Sequence, residues 1–243
     1  MPEQPAKLLP LPEDWSRALA IAAHPDDLEY GAASAIARWT SQGKEIGYLM
    51  VTKGEAGIDS MHPEETARLR MQEEINSARV VGVDSVEFLG YTDGVVEYGL
   101  PLRRDITRAI RRFKPDVLIS GNYDLFFPGG NFNFADHRAV GIAVLDAARD
   151  ADNRWIFPEL MDEGLEPWHD LKYIFITSPP VTTHYVDVAN SIGKGIASLQ
   201  EHKVYIDNLS QDFDPEMFLS FGAAAIGETA GCDYAVGFAL MDL

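Results

Sequence analysis

Cysteine is almost absent from this chain of 243 residues, and long apolar runs are absent altogether. Cys232 is the single thiol, so a disulfide within the chain is excluded and nothing favours a secreted fold held together by disulfides. No apolar run approaches the length that spans a bilayer, and the first residues do not have the charged and apolar segments of a signal peptide. The sequence therefore predicts a cytoplasmic protein without a membrane partner.

Basic residues are scarce as well, because 20 lysines and arginines stand against 38 aspartates and glutamates, a net charge of −18. A protein that binds nucleic acid needs a basic surface, so this balance excludes nucleic acid as a partner. The local exception is a set of four arginines on one helical face: Arg104, Arg108, Arg111 and Arg112. We expect that face to be solvated rather than to bind an anion.

Length and composition predict a single domain. Hydrophobic residues make up 46% of the chain, which is enough for one substantial core. No repeat or low-complexity tract divides the sequence. The proline-rich start predicts an extended arm over residues 1–15, followed by one domain over residues 16–243.

Strand and helix patterns alternate through the first half of the chain. The predicted strands are 18–23, 45–52, 85–89 and 116–120, and the predicted helices are 29–42, 63–81 and 102–113. Strands that are joined by helical crossovers require right-handed βαβ units. We therefore predict an α/β fold with a Rossmann-like, mostly parallel sheet and helices on both of its faces.

The pattern is less regular after about residue 150. Short strands are predicted at 173–177 and 181–188, and a helix at 192–204. The tail at 207–243 is apolar enough to pack, but its pattern does not determine an element type. It would either cap a site or form a contact between copies of the chain, so a homo-oligomer is compatible with the sequence.

Four loops follow predicted strands, at 24–27, 52–57, 90–94 and 121–137. Ligands of open parallel sheets collect beyond the carboxyl ends of the strands. We therefore expect these four loops to meet at one edge of the sheet and to form the functional site there.

An imidazole and two carboxylates follow the first of these strands, in the run His24-Pro25-Asp26-Asp27. Pro25 fixes its own φ and favours an extended His24, so that ligands three residues apart converge as the chain turns. A cation such as Zn²⁺ accepts nitrogen and oxygen ligands together. The alternative is a helix N-cap, in which one aspartate accepts backbone N–H groups. An N-cap explains one aspartate but neither the histidine nor the second aspartate.

A second polar pair, Asp136-His137, opens an apolar segment that is typical of a packed helix. His137 would join His24 and Asp27 in a set of three protein ligands. Catalytic zinc sites have this number, with a fourth position left open. The two motifs together therefore predict a catalytic rather than a structural metal site.

Three motifs together resemble the LmbE/PIG-L family of zinc-dependent N-deacetylases. They are the His-Pro-Asp-Asp run, the later Asp-His pair, and Arg70-x-x-Glu73 followed by Val81-Gly82. The resemblance covers roughly residues 19–205. It is strongest at the first motif.

The resemblance implies hydrolysis of an N-acetyl or other N-acyl group on an amino-sugar-like small molecule, as in deacetylases of the mycothiol pathway and of glycopeptides or aminoglycosides. His24, Asp27 and His137 would bind one zinc ion per chain, or Fe²⁺ or Mn²⁺ in its place. Asp26 would be the general base, and Asp136 would orient the ligands from behind. No cofactor besides the metal is implied.

One position departs from the family pattern. The second motif is usually His-x-Asp-His, and its first histidine is thought to stabilise the oxyanion, but this chain has Phe134 there. Phenylalanine donates no hydrogen bond, so we expect His184 to act as the catalytic donor in its place, with Asn133, a candidate substrate contact, as the second choice. A backbone N–H or the metal alone is the alternative, and His184 also suits a structural role. The lost donor leaves open a second function, a non-catalytic binding or assembly protein that retains the metal.

Two further side chains are candidate substrate contacts. The resemblance implies this role for Arg70, whose alternative is an ion pair with Glu73 on the same helix. Asp93 would accept hydroxyl hydrogens from a sugar, although Asp93-Gly94 is also an ordinary turn. The other histidines are predicted not to be ligands: His62, His169 and His202.

Overall fold

Eight strands form one sheet in a computed structural model that describes residues 7–209 and 213–243. In chain order they are β1 (Leu9–Pro10), β2 (Arg17–Ala22), β3 (Glu45–Met50), β4 (Ser85–Phe88), β5 (Val117–Ser120), β6 (Tyr173–Thr177), β7 (His184–Asp187) and β8 (Ala235–Asp242). Their order across the sheet is β1-β7-β8-β6-β5-β2-β3-β4. Strand β8 pairs antiparallel with β6 and β7, and the other pairs are parallel. The predicted mostly parallel α/β sheet is confirmed.

Helices cover both faces of this sheet. They are α1 (Asp27–Gly31), α2 (Ala33–Ser41), α3 (Pro63–Val80), α4 (Leu100–Phe113), α5 (Ala135–Ala151), α6 (Glu159–Asp162), α7 (Ile192–Gln200), α8 (Lys203–Asp207) and α9 (Pro215–Ala230). Alternate residues of β2 point to opposite faces, so Ala20 packs in the core with Trp39, while Ile21 packs in the other core with Ile106. Each fully buried large side chain contributes roughly 1.5–3 kcal/mol to folding.

The predicted helix at 29–42 is two helices, so this expectation was wrong. Ala32 interrupts the helical backbone with φ −141° and ψ −18°, between α1 and α2. Just before it, Gly31 lies so close to β6 that a Cβ at this position would be 2.8 Å from Oγ1 of Thr177. The pattern of apolar residues continues across the break, which is why the sequence did not indicate it.

The described part of the N-terminal arm packs against the sheet. Residues 9–10 form β1, which pairs with β7, and Leu8, Leu11 and Trp15 are buried. The ring of Trp15 meets that of Trp39 edge to face, with 5.2 Å between centroids. Residues 1–6 of the predicted arm lie outside the described residues.

The tail, whose element type the pattern left open, provides α9 and β8. Strand β8 lies between β6 and β7, so this C-terminal segment fills an interior position in the sheet. Because β8 is antiparallel to both neighbours, β7 runs in the same direction as β6, β5 and β2. His184, the first residue of β7, pairs with Phe238, which also pairs with Thr177, so β7 begins level with the carboxyl end of β6.

The expectation of a solvated arginine face on α4 was wrong for Arg111. Its side chain is fully buried, and its guanidinium donates to the backbone carbonyl oxygens of Asp150, Ala151, Asn153 and Ile156 at 2.7–3.2 Å. The carbonyls of Asp150 and Ala151 lie at the end of α5, where helical acceptors lack partners within the helix, and those of Asn153 and Ile156 lie in the segment that follows it. Arg111 therefore joins α4 to the end of α5.

Within the described ranges, no helix combines the length and the apolar character that crossing a membrane requires.

Candidate metal centre

The motifs from the two halves of the sequence meet at the carboxyl edge of the sheet. His24 and Asp27 follow the end of β2, and His137 lies in the first turn of α5, after the long loop that follows β5. Asp93 arrives on the loop after β4. The structure thus brings together residues separated by more than a hundred positions, at the edge where open parallel sheets place their ligands.

Three possible ligand atoms converge there. Nδ1 of His24 is 3.2 Å from Nε2 of His137, and Nε2 of His137 is 3.0 Å from Oδ1 of Asp27. Nδ1 of His24 is 3.6 Å from Oδ2 of Asp27. The three side chains are 14–18% exposed, so the cluster is lined by protein but open to solvent. Two imidazoles and a carboxylate are the donor set that zinc accepts, and these residues therefore fit a divalent cation.

Two buried carboxylates hold the other side of the His24 ring. Nε2 of His24 is 3.0 Å from Oδ1 of Asp93 and 3.2 Å from Oδ2 of Asp136. Asp136 also accepts the backbone N–H groups of Gly94 and Val96, and Asp93 accepts that of Ala56. Carboxylates in this position fix the tautomer of a ligand histidine, with Nε2 protonated and Nδ1 free to bind.

His24, Asp93 and Asp136 form a second group that is close enough to hold a cation, which would bind at Nε2 of His24 instead of Nδ1. Oδ2 of Asp93 and both oxygens of Asp136 already accept backbone N–H groups, however, and the site at Nδ1 adds a second imidazole. We therefore place the candidate centre at His24, Asp27 and His137. Burial opposes a charge on His24, but the carboxylates of Asp27, Asp136 and Asp93 outweigh it and raise its pKa well above the ordinary value.

Asn133 orients the second histidine. Its Oδ1 lies 3.0 Å from Nδ1 of His137, which leaves Nε2 of that ring to face the centre. Its Nδ2 donates to the carbonyl oxygens of Asn122 and Asp124 at 2.8 and 2.9 Å. Both amide hydrogens are thus used, and Asn133 is 1% exposed, so the expectation of an oxyanion donor or substrate contact here is corrected.

His184 is level with the carboxyl ends of β6 and β2, but it lies far from the centre across the sheet. It is the first residue of β7 and pairs with Phe238 of β8, which also pairs with Thr177 at the end of β6. Three strands, β8, β6 and β5, lie between β7 and β2 in the sheet order, so at about 4.8 Å per strand roughly 19 Å separates His184 from the strand that leads to His24. The Nδ1 of His184 contacts the hydroxyl of Thr183 at 2.8 Å. The expectation that His184 replaces the missing donor is therefore corrected, and its structural alternative agrees with this contact.

Asp26, the expected base, is buried and held in an unusual backbone conformation. Its φ is 94°, a region that residues other than glycine rarely adopt. Its backbone N–H donates to Oε2 of Glu74 at 3.0 Å, and its Oδ2 accepts from Arg70 at 2.9 Å. Burial raises the pKa of Asp26 to about 6, against the opposing charge of Arg70.

Arg70 is 2% exposed, and both terminal nitrogens of its guanidinium are engaged around Asp26, whereas its Nε has no hydrogen-bond partner among the described residues. Besides Asp26 it donates to the carbonyl oxygens of Pro25 and Gly54, at 2.5 and 3.2 Å. A Cβ on Gly54 would lie 2.3 Å from Nη1 of Arg70, so this close approach requires glycine. The alternative pair with Glu73 does not form, because Oε1 of Glu73 accepts the N–H of Val204 instead.

Phe134 is 63% exposed, and its ring packs on the His137 ring with 5.2 Å between centroids. It brings an apolar surface to the rim of the centre, in the place where the resemblance expects a donor. Sequence reasoning missed another aromatic residue nearby, Tyr205, whose ring lies 4.0 Å from the guanidinium carbon of Arg70. Burial is the main cause of its raised pKa, with a contribution from the charge of Asp26.

Sequence reasoning also missed a group behind Asp26, formed by Glu29, Glu74 and His202. His202 was predicted not to be a ligand, together with His62 and His169. The spacing of Arg70 and Glu74, four residues apart on α3, was the available signal that both side chains reach the same loop.

Residues 19–148, more than half of the chain, match the PIG-L family, described as GlcNAc-PI de-N-acetylase, and the chain belongs to this family. It is 25% identical over 227 residues to the diacetylchitobiose deacetylase of Thermococcus kodakarensis, covering 92% of this chain and 82% of that protein. The N,N'-diacetylchitobiose deacetylase of Pyrococcus horikoshii, solved with an inhibitor, has a TM-score of 0.84 and 26% identity, over 94% of this chain and 84% of that chain.

The fold also occurs with a different activity. The 4-carboxy-2-hydroxymuconate hydratase of Pseudomonas putida has a TM-score of 0.73 and 19% identity, over 93% of this chain and 96% of that chain. This likeness concerns the fold alone. The activity must therefore be argued from the site.

Proposed function

We propose that this protein is a metal-dependent hydrolase that removes the N-acetyl group of an amino-sugar-like small molecule. The observation that carries the proposal is the convergence of His24, Asp27 and His137 beside a buried Asp26 whose pKa is raised to about 6. Deacetylases of N-acetylated sugars among the relatives support the choice of substrate. Zn²⁺ suits the donor set best, and Fe²⁺ or Mn²⁺ are the alternatives.

A bound divalent cation supplies Lewis-acid polarisation of the acetyl carbonyl and lowers the pKa of a water molecule. In our proposal Asp26 accepts a proton from the attacking water and then donates it to the amine nitrogen as the C–N bond breaks. The products are acetate and the free amine. A base is most effective when its pKa lies near the working pH, and the burial of Asp26 moves its pKa in that direction.

We infer positioning roles for four side chains around these groups. Asp93 and Asp136 fix the ring of His24, Asn133 fixes that of His137, and Arg70 fixes Asp26. Arg70, Asp93 and Asn133 were predicted as substrate contacts, but both terminal nitrogens of Arg70, both oxygens of Asp93 and the side-chain amide of Asn133 contact protein partners. In our proposal these three side chains hold the groups of the centre in place and do not contact the substrate.

Phe134 favours a second candidate function, a non-catalytic binding protein that retains the metal. Its side chain donates no hydrogen bond, and the geometry excludes His184 and Asn133 as substitutes. Loss of one oxyanion donor typically costs about 3–4 kcal/mol of transition-state stabilisation. If the protein is a hydrolase, a backbone N–H or the bound cation must therefore stabilise the negative charge that develops on the carbonyl oxygen.

A direct assay separates the two functions. The protein is stripped with chelator, loaded with Zn²⁺, and incubated with N-acetylglucosamine and N,N'-diacetylchitobiose while acetate and primary amine are measured. We expect equal release of both products, lost on chelation and restored by Zn²⁺. Binding of these sugars without release of either product, with Zn²⁺ bound, would favour the non-catalytic function.

A cytoplasmic location, the absence of a nucleic acid partner and the compatibility with a homo-oligomer remain predictions from the sequence. They rest on the single cysteine, the net charge of −18 and the apolar tail.

A further inference from the structure

Three fully buried side chains, Glu29, Glu74 and His202, converge next to Asp26. Each is at most 1% exposed. Nε2 of His202 is 3.6 Å from Oε2 of Glu29 and also 3.6 Å from Oε2 of Glu74. One nitrogen or oxygen atom from each residue lies within 4.8 Å of the others. The proposed hydrolysis uses none of these side chains directly.

The group is assembled by the tertiary fold. Glu29 belongs to α1, Glu74 to α3, and His202 lies at the residue that precedes α8. Three ionisable groups from three elements have thus been buried at one point. Burial of two carboxylates is costly unless positive charge and hydrogen bonds compensate it.

Each carboxylate has one oxygen in a hydrogen bond and one without a partner. Oε1 of Glu29 accepts the hydroxyl of Ser77 at 2.5 Å, and Oε2 of Glu74 accepts the N–H of Asp26 at 3.0 Å. Among the described residues, Oε2 of Glu29, Oε1 of Glu74 and both ring nitrogens of His202 have no hydrogen-bond partner. On Glu29 the oxygen 3.6 Å from Nε2 of His202 is the unpartnered one, whereas on Glu74 it is the oxygen that accepts the N–H of Asp26 and has a second lone pair for a ligand.

The spacing is that of ligands around a shared cation. A separation of 3.6 Å is too long for a hydrogen bond between His202 and either glutamate. Two ligand atoms that each lie about 2.1 Å from a tetrahedral cation are about 3.4 Å apart. At the candidate centre described above, Nδ1 of His24 and Oδ2 of Asp27 have the same separation of 3.6 Å.

We propose that Glu29, Glu74 and His202 form a second metal site, which takes a divalent transition-metal cation through one imidazole nitrogen and two carboxylate oxygens. Its two positive charges match the two buried carboxylates. The site is sealed from solvent, so its role is structural. It joins α1, α3 and the segment before α8, and through Glu74 it supports the backbone of Asp26.

Metal counting tests this proposal without any substrate. The full chain is stripped with chelator, loaded with excess Zn²⁺, passed through a desalting column and analysed for zinc per chain by mass spectrometry. We expect two equivalents in the wild type, one in His202→Gln, one in His137→Ala and none in the double variant. His169→Gln, which removes an exposed histidine, is the matched control and should retain two.

The outcomes separate this site from the proposed catalytic centre. One equivalent in the wild type that His137→Ala removes and His202→Gln does not would overturn the second site and leave the proposed function intact. One equivalent that only His202→Gln removes would support the second site and overturn the ligand assignment of the catalytic centre. Since His202→Gln removes a buried group, Glu29→Gln provides a second variant, and circular dichroism checks that both are folded. If neither variant folds, His137→Ala decides the question, because one equivalent retained in it supports the second site and none overturns it.

Discussion

Two clusters of histidines and carboxylates lie on either side of Asp26, and they differ in access and in support. The side chains of His24, Asp27 and His137 are 14–18% exposed, whereas those of Glu29, Glu74 and His202 are at most 1% exposed. In the open cluster, the second nitrogen of each histidine has an acceptor, so the tautomers are fixed. In the sealed cluster, neither nitrogen of His202 has a partner among the described residues.

The comparison indicates that the open cluster suits catalysis, whereas the sealed cluster suits a structural role. A reacting centre needs a path for the substrate and ligands held in a single orientation. The open cluster has both features. The sealed cluster has no path for a substrate, and no hydrogen bond among the described residues fixes the ring of His202, so its contact with the backbone of Asp26 gives it an effect on geometry alone. The predictions below test this difference.

The largest effect is expected at the open cluster. His137→Ala removes one of the three proposed protein ligands, so we expect the cation of this centre to be lost and the release of acetate to fall to the background rate. Zinc content and acetate release are measured on the same preparation. His62→Ala is the control, because His62 is an exposed histidine that directly precedes α3. A His137→Ala variant with wild-type turnover would refute the assignment.

The support of Asp26 gives the next effect. Arg70→Met keeps the length of the side chain but removes the donors to Asp26 and Pro25. Misplacement of a reacting group by about 1 Å costs on the order of 10²-fold, so we expect a decrease of that size in kcat with metal content retained. Arg112→Met, which removes an exposed arginine that pairs with Glu87, should leave kcat unchanged. Equal kcat in Arg70→Met and the wild type would mean that Arg70 does not position the base.

A smaller effect is expected behind the ligand His137. Asn133→Ala removes the acceptor of the hydrogen on Nδ1 of His137. Loss of such a partner typically weakens metal binding by about 10- to 100-fold, and competition with a chromophoric chelator would measure the change. The affinity of the sealed cluster should not change in this variant. Unaltered zinc affinity at both sites would argue against an orienting role of Asn133.

The smallest effect is expected three strands away from the centre. His184→Ala should keep both kcat and zinc content, because β8, β6 and β5 separate its strand, β7, from β2. A decrease in kcat with normal KM and normal zinc would contradict the sheet topology as the basis for excluding this residue.

The sequence predicted the features that depend on local pattern. The strand at 173–177 has the same bounds in the structure, and the apolar run that ends before His24 is strand β2. The convergence of His24, Asp27 and His137 was also predictable, because parallel strands carry their following loops to one edge.

The features that the sequence did not reveal depend on topology and burial. The position of β7 across the sheet depends on β8, which joins the sheet between β7 and β6 from the far end of the chain, so the distance of His184 from His24 had no local signal. Arg111 has the spacing of a surface residue, but it satisfies carbonyl groups at the end of α5. The cluster of Glu29, Glu74 and His202 comes from three distant segments.

Two adjacent carboxylates provide the most direct test of the central claim, because we assign Asp26 to the proton and Asp27 to the metal. Asp26→Asn and Asp27→Asn are compared for zinc per chain and for acetate release from an N-acetylated sugar that the wild type hydrolyses. We predict that Asp26→Asn retains the wild-type zinc content and loses about 10²- to 10⁴-fold in kcat, while Asp27→Asn loses the zinc of the open cluster. Equal zinc loss in the two variants, or wild-type kcat in Asp26→Asn, would contradict the account.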